Sequence, residues 1–178
     1  MKIRRKIAAI TAAVLVGAGL SVAVSSPAFA DNWTGPFQIR PSAAYGKCLD
    51  ITGVSQSNGA LVQLYDCLPN QWNQQFYLFE PISSLPHVKQ IVPRHSWKCL
   101  DVMGASQSDG AYIQQFDCLG ISQNNQLFVK TVVGVGFVQF SAAHSGRCLN
   151  YTGTSNGSNV IQGSLQCQNM PWFVLEPV

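Results

Sequence analysis

Cys48, Cys67, Cys99, Cys118, Cys148 and Cys167 fall into three pairs with the same internal spacing, and each pair encloses a near-copy of one text. The copies read GKCLDITGVSQSNGALVQLYDC, WKCLDVMGASQSDGAYIQQFDC and GRCLNYTGTSNGSNVIQGSLQC. Thiols can hold a metal or oxidise to disulfides, and spacing separates the two chemistries. Zinc sites usually set two cysteines a few residues apart, which this chain nowhere does, so neither a metal nor any other cofactor is expected. Pairing inside each copy, Cys48–Cys67, Cys99–Cys118 and Cys148–Cys167, gives three equivalent loops. Each bridge is worth roughly 3 kcal/mol by restricting the unfolded chain. His95 and His144 each stand four residues before a first cysteine, where the first copy has Ala44. Neither they nor His87 has a serine, cysteine or carboxylate beside it in a nucleophile arrangement, so all three read as surface turn residues.

The elements that carry these residues are short strands. Gly59–Tyr65 and Gly110–Phe116 begin at a turn glycine and are rich in residues that suit a pleated, half-buried surface. Ser57-Asn58-Gly59 and Ser108-Asp109-Gly110 supply the side chains that tight turns demand. No sustained helical period follows the N-terminal segment, so the domain is expected to be all-β. A repeat of this size cannot bury its apolar side alone, and the three copies must share one core. Closing them into a capped barrel removes exposed sheet edges, which predicts a β-trefoil with pseudo-threefold symmetry and one disulfide per repeat. A three-bladed propeller is the less favourable closure, since propellers typically need at least four blades.

Residues 1–30 read as a secretory signal: Lys2, Arg4, Arg5 and Lys6, an apolar run through Val24, and Ala28-Phe29-Ala30 at the cleavage point. An uncleaved anchor is disfavoured because Gly17, Gly19 and Ser21 interrupt the run. A secreted, extracellular domain over 31–178 is therefore expected, with repeats at about 37–80, 88–130 and 137–178 and no membrane span in the mature form. The signal takes four of the eleven basic side chains and none of the eight acidic ones, leaving seven against eight, a net charge of −1. The remaining cations are scattered singly along the chain, which argues against nucleic acid as a partner.

Cys-Leu-Asp at 48–50 and 99–101, the Gly-Ala-x-Val/Ile-Gln-x-Tyr/Phe-Asp-Cys runs, and Asn73-Gln74-Gln75-Phe76 with Asn125-Gln126-Leu127-Phe128 resemble the repeat of ricin B-chain-type lectins and family 13 carbohydrate-binding modules. The likeness spans the whole mature chain and departs from the Gln-x-Trp motif by using Phe76 and Phe128 as the ring. The resemblance implies a β-trefoil that binds sugars in one shallow pocket per repeat. A pyranose needs a ring to stack on and polar groups to fix its hydroxyls, and a carboxylate with amides supplies the latter. Alternation along the strand puts Gln63 beside Tyr65 on one face and Val62, Leu64 and Asp66 on the other. The Cys48–Cys67 bridge brings Asp50 against them, and the family pattern adds Asn73 and Gln74. The same mapping gives Asp101, Gln114, Phe116, Asn125 and Gln126 in the second repeat. In the third, Asn150, Gly163 and Leu165 take the places of acid, amide and ring, with Trp172 as core aromatic, so this copy is expected to be structural.

Simpler roles compete with these. Tyr65 and Phe116 could be core, and Asp50, Asp101, Gln63 and Gln114 could satisfy turn donors. Their joint presence in two copies and absence from the third favours a shared task. Glycoside hydrolysis would need two carboxyl groups roughly 5–10 Å apart, whereas Asp50 and Asp101 sit in different lobes, so no catalysis is expected. The expected function is a non-catalytic lectin for galactose-like or xylan-like glycans. The alternative is a protein-binding trefoil, either a protease inhibitor or the receptor-binding subunit of a toxin complex, with 81–87 as its protruding segment and an unknown partner chain. Asn32, Asn150 and Asn156 match the N-glycosylation pattern.

Overall fold

The computed structural model describes residues 32–165, 167 and 171–178; the expected signal at 1–30 lies outside them, as do Asn169 and Met170. The described regular elements are twelve strands and four single-turn 3₁₀ segments. The strands are β1 (Trp33–Pro41), β2 (Lys47–Ile51), β3 (Val62–Asp66), β4 (Phe76–Phe79), β5 (Val88–Pro93), β6 (Cys99–Val102), β7 (Ile113–Phe116), β8 (Phe128–Gly134), β9 (Phe137–Ala142), β10 (Arg147–Tyr151), β11 (Ser158–Leu165) and β12 (Phe173–Pro177). Pairing runs β12–β1–β4–β5–β8–β9, and β9 pairs back onto β12, which closes a barrel without free edges. The hairpins β2–β3, β6–β7 and β10–β11 stand outside this ring as its cap, and the whole is a β-trefoil. Among the described residues no helix is long and apolar enough to cross a membrane.

Period-two alternation places the core. Val138, Phe140 and Ala142 point inward from β9, Phe76 and Leu78 from β4, and Val62 and Leu64 from β3, where they meet Ile39, Leu49, Leu100, Ile113, Phe128 and Phe173. The strands at the sites are shorter than the sequence suggests. Gly59 and Gly110 adopt φ of 86° and 81° in the turns, and Leu61 and Tyr112 make only isolated bridges. The third core aromatic is Phe173, fully buried, and not Trp172, which lies 46% exposed against Phe137. The motif is displaced by one position there, because it is Phe173 that enters β12 and faces the barrel. All three disulfides form within their copies, with Cα separations of 5.1, 5.1 and 5.4 Å.

The lobes are clipped to one another in a cycle. The Gly59, Gly110 and Gly157 N–H groups donate to the carbonyls of Gln115, Gln162 and Leu64, each in another copy. At two junctions a side-chain clip is added. His95 Nε2 donates to the Ser55 carbonyl at 2.8 Å, and Gln115 Nε2 donates to the Ser55 and Ser57 carbonyls. His144 and Gln162 repeat this on Ser106 and Ser108. These two histidines are therefore lobe fasteners and not simple turn residues. At the third junction the matching positions are the apolar, buried Ala44 and Leu64, which need no partner. Gln115→Leu is expected to lower stability by about 1–3 kcal/mol, because the Ser57 carbonyl and the Ser96 hydroxyl lose this partner and the Ser55 carbonyl keeps only His95; a denaturant midpoint measures it.

Candidate functional site

Asp50 sits on β2 directly across from Gln63 on β3, and Asp101 on β6 across from Gln114 on β7. The cross-strand amide closes one side of each carboxylate: Gln63 Nε2 donates to Asp50 Oδ1 at 2.9 Å, and Gln114 Nε2 to Asp101 Oδ1 at 3.0 Å. The other oxygen is held by the 3₁₀ turn that follows the hairpin. Asn73 Nδ2 and Gln74 Nε2 reach Asp50 Oδ2 at 2.7 and 3.0 Å, and Asn125 and Gln126 reach Asp101 Oδ2 at 2.8 and 3.1 Å. The two cages are copies of each other to within a few tenths of an ångström.

An ionised carboxylate has about four acceptor positions, and three are taken by amides, so each aspartate keeps one for an incoming donor. Beside it, Asn73 Oδ1 is buried and without a partner, a second acceptor of the same kind. Burial pushes the Asp50 and Asp101 carboxyls above their ordinary 3.8, although the amide donors pull the other way. Asp66 and Asp117, at the ends of β3 and β7, carry the opposite shift. They are exposed, bonded to Lys47 and Lys98 at the cap surface, and held below the usual range by those bonds.

Each cage opens into a shallow depression of about 290 Å³. The first is walled by Asp50, Gln63, Tyr65 and Asn73, with Tyr65 39% exposed at the rim; the second by Asp101, Gln114, Phe116 and Asn125. Gln74 and Gln126 do not reach these walls. They are fully buried behind the carboxylates, where Gln74 also accepts from the Leu68 N–H and Gln126 from the Leu119 N–H. Sequence reasoning missed the rest of the lining: Gly53, Val54, Leu68 and Gln71, matched by Gly104, Ala105, Leu119 and Gln123. Their signal was available in the repeat, since both sets follow the aspartate or the second cysteine at similar offsets. Val54 and Ala105 hold φ of 52° and 48°, a left-handed conformation uncommon outside glycine, and such outliers concentrate at ligand sites.

The third lobe corrects the alignment. Asn150 lies opposite Ile161, not Gly163, because the hairpin loop there is two residues shorter, and a register shift of one residue follows between Arg147 and Leu149. Ile161 therefore stands where Gln63 and Gln114 stand, and the place of the ring, opposite the first cysteine, falls in the irregular stretch of Gly163 and Ser164. The lobe still lacks acid, amide and ring, now from different residues. Among the described residues no three His, Cys, Asp or Glu side chains converge as metal ligands.

The chain matches the family profile described as ricin-type beta-trefoil lectin domain-like, over residues 29–116 and again over 72–163. Among solved structures it is similar to the designed three-fold symmetric protein ThreeFoil, with a TM-score of 0.72 and 33% identity over 83% of this chain and 100% of that one. It is similar also to an exo-beta-1,3-galactanase from Clostridium thermocellum, with a TM-score of 0.69 and 26% identity over 82% of this chain but only 30% of the galactanase. The hemolytic lectin CEL-III shares the fold at a TM-score of 0.59 and 24% identity, over 79% of this chain and 30% of that one. No curated protein sequence matches the chain.

Proposed function

Because the chain belongs to the ricin-type β-trefoil lectin-like family, we propose that it is a secreted, non-catalytic lectin with two shallow sites, one at Asp50 and one at Asp101, for galactose-like or xylan-like glycans. The observation that carries this reading is the duplicated carboxylate cage, closed behind by amides, open in front, and flanked by a ring. Asp50 and Asp101 accept one sugar hydroxyl each, the Asn73 and Asn125 amides meet a neighbouring one, and Tyr65 and Phe116 cover the apolar C–H face of the pyranose. The match to part of a galactan-degrading enzyme supports the galactose-like class. Export is supported by the signal-like N-terminus and by three formed disulfides. The two sites lie in separate lobes, so a surface that displays many sugar ends engages both and gains avidity without new contacts. Calorimetric titration with lactose and xylotetraose tests the reading; a protein that binds neither, nor any polysaccharide on an array, is not a lectin of this kind.

Acidification separates binding from folding. The Asp50 and Asp101 carboxyls, raised by burial, take up a proton above 3.8, and a protonated oxygen no longer offers the same acceptor. Their folded values lie above the unfolded ones, so ionisation of these groups opposes folding at neutral pH and falling pH relieves it. Asp66 and Asp117 have the reverse sign: their contribution is present above the unfolded value and is lost only as pH falls through their lowered folded values. Glycan affinity is therefore expected to fall at a higher pH than the far-ultraviolet dichroism of the fold. Loss of both at one pH would contradict the assignment.

A further inference from the structure

Beyond the Asp50 depression lies a larger cavity, about 470 Å³, walled by Gln38, Arg40, Leu68, Gln75, Arg94 and Val178 together with the loop after Cys67. Leu68 belongs to both linings, so the two hollows share one wall. Its backbone is fixed from both sides: its carbonyl accepts from Gln38 Nε2 at 3.1 Å, and its N–H donates to Gln74. The two guanidinium groups are positioned by buried amides, Arg40 by Gln38 Oε1 at 2.8 Å and Arg94 by Gln75 Oε1 at 2.6 Å. Arg94 also lies 4.5 Å over the Trp72 ring. Arg40 Nε is buried without a partner. Neither arginine forms an ion pair among the described residues, Glu176 included, although it shares a different hollow with Arg40. Two half-buried cations held in place, in a cavity whose lining carries no acidic side chain, make a site for an anion.

We propose that this cavity is an acidic subsite of the Asp50 site: a glycan whose neutral sugar occupies the Asp50 depression passes over Leu68 and places a carboxylate or sulfate on Arg40 and Arg94. The proposal rests on the sugar-binding reading of Asp50 and adds the chemical class of the preferred ligand. The residues at the matching place beside the Asp101 site differ. The backbone bond from the Arg94 N–H to the Gln75 carbonyl recurs in the next lobe between Ala143 and Leu127, an apolar pair that offers neither guanidinium nor amide. The two cages are thus alike toward neutral sugar and unlike toward charge.

The test compares lactose with sulfated lactose, and xylotetraose with xylotetraose that carries one glucuronic acid, by calorimetry at low and high ionic strength. Native protein is expected to bind at least one acidic form about ten-fold more tightly than its neutral counterpart, and the preference collapses at high salt. The sulfated and uronic arms tell which anion is taken. Asp101→Asn keeps the preference, since it leaves the Asp50 site alone; Asp50→Asn removes it; the double change Arg40→Gln, Arg94→Gln brings the acidic-to-neutral ratio to about one. If that double variant fails to fold, the charge-retaining pair Arg40→Lys, Arg94→Lys and the salt titration of native protein carry the comparison. Equal affinity for acidic and neutral forms in native protein, or a preference located at Asp101, overturns the subsite and leaves the lectin reading standing. Failure to bind either form overturns the lectin reading itself.

Discussion

Asp50→Asn together with Asp101→Asn is expected to abolish retention on a polysaccharide while the barrel stays folded. Each single change costs its own site about ten-fold or more in affinity, the worth of a hydrogen bond to a charged group, and the pair leaves no cage intact. Asparagine is the informative substitution because the cage can absorb it. At Asp50 the oxygen that meets Asn73 and Gln74 is kept, and the new amide faces Gln63, which satisfies it by turning its own amide over. What changes is the face offered to the ligand: a charged acceptor becomes neutral. Asp50→Ala is a harsher change, since it takes the shared carboxylate from the Gln63, Asn73 and Gln74 amides at about 1–3 kcal/mol, and lost binding would then mix with lost stability. Solid-phase retention read beside a thermal melt separates the two. Unchanged retention by the double asparagine variant, with native melting, would exclude the cages as the sugar sites.

Phe173→Ala is expected to cost about 3–5 kcal/mol, and Trp172→Ala, one residue earlier, well under about 1 kcal/mol. Phe173 is fully buried, its ring 6.2 Å from that of Phe140 in the barrel, and the alanine leaves a cavity the surrounding strands cannot fill. The Trp172 ring is nearly half exposed, and the main-chain carbonyl that receives the Ser42 N–H survives the substitution. The reverse order in a denaturant titration would restore Trp172 as the core aromatic.

The threefold text was enough to read the trefoil, the disulfide pairing and the set of side chains that meet at Asp50 and Asp101. Each of these depends on short-range spacing: alternation along a strand decides which residues share a face, and a bridge inside a repeat decides which strands abut. Gln74 and Gln126 mark where that stops. Both belong to the cage, but their place behind the carboxylate and away from the hollow depends on how the 3₁₀ turn folds under the hairpin. His95 and His144 looked idle because their partners, Ser55 and Ser106, stand in another lobe.

The sequence by itself determined the architecture and the presence of an aspartate with its amides in two of the three copies, because repetition and cross-links act within each copy. Only the tertiary structure decided the register of the third hairpin, the identity of Phe173 as core, and the meeting of Arg40 with Arg94 across Leu68. Those residues belong to different strands and loops of the chain. Nothing in their local spacing records the contact, which exists only once the barrel has closed and brought β1 and β5 around the same cavity.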